Sequence, residues 1–159
     1  ETAEYIKKDV QGYVNSVFTC CTKHCPGDGN NVNTHTDVSI DTRPYEQFLK
    51  DDFLPFEASI AEQIPMILVS HNIVICKDEK YPASISKIWH DILRNDLKHT
   101  GLILTDDLSM DAIKKYSDNL SPAIIAVNAG NDILLTSEYY EHLDAVITAV
   151  KNGTIKEEK

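Results

Sequence analysis

The chain has 159 residues, 42% of them hydrophobic, and a formal net charge of −10 at pH 7. That length suits one core and is too short for two ordinary domains. An acidic surface repels a phosphate backbone, so neither nucleic acid nor an anionic membrane is expected as a partner, and a neutral or cationic ligand fits better.

No apolar run approaches the roughly 18 residues of a membrane span, so no membrane span is expected. The opening ETAEYIKKDV reads as an amphipathic helix over 3–10 rather than a secretory signal, and a soluble chain is expected. The chain starts without Met, which suggests a fragment boundary and leaves a lost targeting segment open.

In chain order, the helix over 3–10 is followed by a β-prone run at 16–21 and a long polar connection over 22–42. A helix over 55–63, a strand over 66–70 and a second long connection over 71–83 come next. The turn at Ser84 opens a helix over 86–97. A strand over 102–105, helices over 110–116 and 121–128, a strand over 133–135 and a helix over 138–151 complete the chain.

Continuous apolar strands alternating with helices read as an α/β chain whose parallel sheet is buried. Gly101 and Gly130 follow helical patterns and are expected as helix C-caps.

Cys20, Cys21, Cys25 and Cys76 do not make a disulfide framework in a chain of this size, and free thiols are the simpler reading. Three of them with His24 spell C-C-x-x-H-C, which invites a zinc site. Neighbouring residues on a strand point to opposite faces, however, and tetrahedral sites draw on pairs spaced C-x₂₋₄-C, so no metal and no cofactor are expected.

In parallel α/β folds the ligand site lies at the C-terminal ends of the strands, the side where the long connections fall here. Lys23-His24, Ser70-His71, Asp106-Asp107 and Thr136 would all collect on that rim. His71 is expected to hydrogen-bond within the rim rather than to perform chemistry. Taken alone, the adjacent carboxylates of T-D-D-L-S-M read as turn and cap residues; the motif blocks below divide them into two expected roles, with Asp106 facing the pocket and Asp107 or Ser109 capping the helix that follows.

The blocks K-H-C-P-G-D-G, N-T-H, S-H-N, P-A-S-I-S-K, D-I-L-R-N-D-L, T-G-L-I-L-T-D-D-L-S-M and A-G-N-D-I-L-L, in that order, resemble the C-terminal half of the catalytic barrel of family 3 glycoside hydrolases. The β-N-acetylglucosaminidase branch is the nearest in pattern. The resemblance implies four parallel βα units, the second half of a (β/α)₈ TIM barrel whose complete form takes roughly 250 residues, with 1–159 forming one fragmentary domain. It also implies a retaining β-N-acetylhexosaminidase that releases terminal N-acetylglucosamine through a covalent aspartyl intermediate.

By the same resemblance Asp106 is the nucleophile, Lys23 and His24 bind sugar hydroxyls, and His35 is the general acid and base. The family pattern has Asp two residues before that histidine, and Asn33 stands here. An Asn amide can still accept a bond from the imidazole but cannot stabilise its cation, so impaired activity is expected; Asp37 is a possible substitute.

Two further expectations follow. The rival to an enzyme is a non-catalytic half-barrel serving as a sugar-binding or interaction module. Unclosed strands would leave two free edges, with Val17, Ile67, Leu68 and Ile103 facing a missing wall. The missing N-terminal half of the barrel, or self-association, is therefore expected as the partner.

Overall fold

The computed structural model describes residues 1–28, 38–117 and 120–157. Its elements in chain order begin with α1 (Thr2–Val14), β1 (Cys21–Cys25), β2 (Ile40–Asp41) and α2 (Tyr45–Gln47), the last running through a π-helical turn (Phe48–Asp52) into α3 (Phe53–Ala61). Next come β3 (Met66–Val69), β4 (Ile73–Val74), a 3₁₀ turn (Ala83–Ile85), and α4 (Lys87–Asp91) continued by a second π-helical turn (Ile92–Asp96). The last elements are β5 (Leu102–Thr105), α5 (Asp111–Lys114), α6 (Pro122–Ala129) and α7 (Tyr139–Lys151).

Strands β1, β3 and β5 form a parallel sheet in that order, with Ile67 opposite both Thr22 and Ile103. The run expected as a fourth strand joins by a single parallel bridge, Leu104 to Ile133. A second, two-stranded parallel sheet pairs β2 with β4, which the sequence reading missed inside its long connections.

Two expectations require correction. The first strand lies not at 16–21 but at Cys21–Cys25, and Val17 and Phe18 are exposed beyond the end of α1. Pairing with β3 selects the register: it buries Thr22 and Cys25 and brings Lys23 and His24 into the strand itself. Gly101 is not the helix cap, because the left-handed residue there is Lys98, at φ 60°. A Cβ on Gly101 would run into the Pro65 carbonyl, which accepts the Leu102 N–H at 2.9 Å. Gly130, at φ 124°, does end α6, donating to the carbonyls of Ala126 and Val127.

The period of two divides the sheet residues. Ile67, Val69 and Ile103 face the helices and join a core built on Phe48, Phe53 and Trp89. Tyr45 meets Phe53 edge-on with ring centroids 5.9 Å apart. Ile67 and Ile103 are therefore walled by helices, contrary to the expectation that they would face a missing wall; Leu68 and Leu104 alternate to the other face. No helix among the described residues is long and apolar enough to cross a membrane.

Candidate active site

The C-terminal ends of β1, β3 and β5 deliver His24, His71 and Asp106 to one rim, and main-chain bonds stitch those ends together. Ser70 N donates to Cys25 O at 2.9 Å and Asp106 N to Val69 O at 3.1 Å. Each strand thus supports the first residue beyond its neighbour.

Asp106 is half-buried. One of its oxygens accepts the N–H of Asp107 at 2.9 Å, and the other accepts no hydrogen bond among the described residues. Asp107 turns the other way: Oδ1 accepts Ser109 N at 2.9 Å and Ser137 N at 3.3 Å, and Oδ2 accepts Ser137 Oγ at 3.2 Å. Burial works to raise the Asp107 pKa, but these donors outweigh it and hold the carboxyl below its ordinary range.

The expected division of the pair into two directions is seen, while the expected helix cap is not. Met110 occupies the N-cap of α5 and no side chain bonds there; Asp107 instead closes a two-residue turn and ties it to the loop before α7. Ser109 Oγ and Thr136 Oγ1 meet at 3.0 Å, and Thr136 Oγ1 meets His142 Nδ1 at 2.6 Å.

His71 is almost fully buried behind the carboxylates. Its Nε2 lies 3.0 Å from the Asp107 carbonyl, which can only accept, and its Nδ1 lies 2.6 Å from Ser84 Oγ. Burial lowers its pKa against the opposing pull of the Asp107 carbonyl and both carboxylates, so the ring is neutral with its proton on Nε2. Its contacts fit a rim support rather than a group that meets a ligand.

At the end of β1, His24 Nδ1 lies 3.8 Å from Asp28 Oδ2, and Asn72 Nδ2 donates to Asp28 Oδ1 at 2.8 Å. The Lys23–His24 and Cys25–Pro26 peptides are cis. Lys23 is exposed and forms no ion pair among the described residues. Asn33, His35 and Asp37 lie outside the described residues.

Sequence spacing does not reveal the Asn72–Asp28 bond or the Ser84 support; the only local signals are S-H-N after a strand and the first serine of P-A-S-I-S-K. A separate cavity of about 440 Å³ between α4 and α6 has its charges already matched: Lys87 with Asp91 and Arg94 with Asp132, each at 2.6 Å.

The family model described as the glycosyl hydrolase family 3 N terminal domain matches residues 2–159. The chain belongs to glycosyl hydrolase family 3. A beta-hexosaminidase of Bordetella avium (strain 197N) is 32% identical over 128 residues, covering 79% of this chain and 36% of that protein. A beta-hexosaminidase of Nitrosomonas eutropha is 34% identical over 131 residues, covering 81% and 37%. Among solved structures, a glycoside hydrolase family 3 beta-N-acetylglucosaminidase from Paenibacillus sp. str. FPU-7 superposes with a TM-score of 0.90 at 30% identity, covering 98% of this chain and 31% of that one.

The chain spans about a third of the length of the curated relatives it matches. Those relatives carry the names of enzymes.

Proposed function

We propose that this family 3 chain forms the C-terminal half of a (β/α)₈ barrel and carries the nucleophile of a retaining hydrolase for terminal N-acetylglucosamine. The observation that carries this reading is the stance of Asp106. It sits half-buried at a strand end, next to the end of β3 that leads to His71 and two strands from the end of β1 that bears His24, with one carboxylate oxygen accepting no bond from the described residues.

In the proposed reaction that oxygen attacks the anomeric carbon. A glycosyl ester forms as the bond to the aglycone oxygen breaks, and the departing oxygen takes its proton from His35. His35 then accepts a proton from water, whose oxygen attacks the anomeric carbon and releases both sugar and Asp106. Lys23 and His24 hold sugar hydroxyls. Asn33 can orient the His35 ring but supplies no charge to its cation, and the analogous change in a serine protease triad lowers the rate about 10⁴-fold. Activity is accordingly weak on substrates that need protonation. The remaining sugar-binding groups come from the other barrel half, or a second copy of the chain closes the barrel.

A mechanism-based fluorosugar followed by intact mass measurement tests this, with the polypeptide that completes the barrel present. Wild type gains one glycosyl mass and Asp106→Asn gains none. Labelling that survives Asp106→Asn overturns the assignment.

A further inference from the structure

The rim holds a carboxylate that the reaction proposed above does not use. Asp28 stands four positions after His24, and its side chain is 53% exposed. Gly27, at φ 146°, lies in the turn that returns Asp28 to His24. Beneath that turn Asp52 is held by Arg43 Nη1 at 2.8 Å, and the same guanidinium donates from Nη2 to Asp41 at 2.7 Å. The turn thus has a fixed base.

Asn72 secures the carboxylate from the side of the neighbouring strand. It is fully buried, and its Nδ2 donates to Asp28 Oδ1 at 2.8 Å. Its own backbone is anchored, because its carbonyl accepts Ala83 N at 2.8 Å and Ser70 N, two residues earlier, donates to Cys25 O at 2.9 Å. An amide oxygen turned towards Asp28 would set acceptor against acceptor, which fixes the orientation of the Asn72 side chain. Asn72 Oδ1 is then buried with no hydrogen-bond partner among the described residues, an arrangement that stability alone does not explain.

With Oδ1 of Asp28 occupied, its Oδ2 lies 3.8 Å from His24 Nδ1. That is longer than a hydrogen bond, yet close enough for the charge to decide where the proton of a neutral ring sits: a proton on Nδ1 is attracted and a lone pair there is repelled. No other side chain among the described residues bonds the imidazole, which is part-exposed.

We propose that Asp28 is a positioning residue: anchored by Asn72, it keeps the proton of neutral His24 on Nδ1 and leaves Nε2 as an acceptor, so that His24 recognises a sugar hydroxyl as a donor; the inference rests on the sugar-binding role proposed above for His24. The neighbouring pair then divides its work. The Lys23 ammonium carries only donors and His24 Nε2 offers only a lone pair, so one hydroxyl is met as acceptor and the other as donor. The opposite tautomer, which the free side chain favours, would meet the sugar as a second donor.

Proton–nitrogen correlation NMR of the histidine-labelled chain reads the tautomer directly, with the His24 signals assigned by their loss in His24→Ala and the pH raised until the shifts stop changing. The expected result is an Nδ1–H ring in wild type and a move to Nε2–H in Asp28→Ala and in Asn72→Ala; if the buried Asn72 position does not tolerate alanine, the half-exposed Asp28 carries the test. A ring that is Nε2–H in wild type, or that stays Nδ1–H in either folded variant, overturns the proposal. With the barrel complete and a dinitrophenyl N-acetylglucosaminide as substrate, Asp28→Ala and His24→Ala should each raise KM about tenfold with kcat kept within about threefold, and Asp28→Ala should add less than about twofold once His24 is alanine. If His24→Ala raises KM while Asp28→Ala does not, or if the two losses multiply in full, the positioning role is overturned and the His24 reading stands. If His24→Ala leaves KM unchanged, the sugar-binding reading falls and takes this proposal with it.

Discussion

His71 donates from Nε2 to the main-chain carbonyl of Asp107, 3.0 Å away, and so ties the peptide that follows Asp107 to the end of the neighbouring strand. Ser84 holds the far side of the ring at 2.6 Å. A buried imidazole thereby sets the direction in which the Asp106 backbone leaves β5. His71→Ala should lower kcat by roughly ten- to a hundredfold through misplacement of Asp106, with KM little changed. Steady-state kinetics on an aryl glycoside separate the two; a rise in KM alone would mean that His71 meets the sugar.

Acid should weaken the fold in a defined direction. Burial is the largest influence on His71, His90 and His99 and holds all three below the usual histidine range. Between their folded and unfolded values the unfolded chain binds more protons, so stability is full above the unfolded value of about 6.5 and falls as the pH drops through the lower folded values. Asp107 adds a second loss further down. Its folded pKa is lowered, so its contribution is present above the unfolded value of about 3.9 and disappears as pH falls through the folded one. Denaturant midpoints measured from about pH 8 down to about pH 5 should decline; a flat or rising profile would contradict the neutral state of these rings.

Asp106 and Asp107 should separate on substitution. Asp106→Asn should abolish covalent labelling with little change in stability, because its carboxylate accepts only a local N–H. Asp107→Ala removes the acceptor shared by Ser109 and Ser137 and should cost about 1 kcal/mol while keeping partial activity. Exchanged phenotypes would assign the nucleophile to Asp107.

Asn33→Asp should restore charge beside His35. Turnover of a poor leaving group should rise strongly, toward the 10⁴-fold scale of the analogous protease change, with little gain on an activated aryl glycoside. Equal gains on both would remove His35 from the acid role.

Two glycines should respond with opposite signs. Gly27 has φ 146° and Asp52 beneath it, so Gly27→Ala should destabilise by about 1 to 3 kcal/mol. Gly12 lies in α1 with nothing near its missing Cβ, and Gly12→Ala should stabilise by about 0.5 to 1 kcal/mol. Thermal melts of the two variants provide the check.

Strands β3 and β5 were legible because buried parallel strands are written as unbroken apolar runs, and M-I-L-V and L-I-L-T are such runs. Topology alone assigns the residues at their ends, Asp106 and His71 among them, to one rim. The same logic misplaced β1, since S-V-F-T-C-C looks the more strand-like while C-T-K-H-C is the segment that pairs. Strand identity there depends on which backbone groups meet β3, a relation between residues more than 40 positions apart on the count from Cys21 to Met66.

Composition, hydrophobic period and motif order thus determined the α/β class, the helices, the family resemblance and the candidate nucleophile, because each is local or additive along the chain. Only tertiary structure decided that His71 supports Asp107, that Asp107 bonds Ser137 rather than capping a helix, and that Arg43 joins Asp41 to Asp52 beneath Gly27. Each is a hydrogen bond or contact between segments that the chain brings together only on folding. Hydrogen bonding depends on distance and angle within a few tenths of an ångström, which no spacing along a sequence specifies.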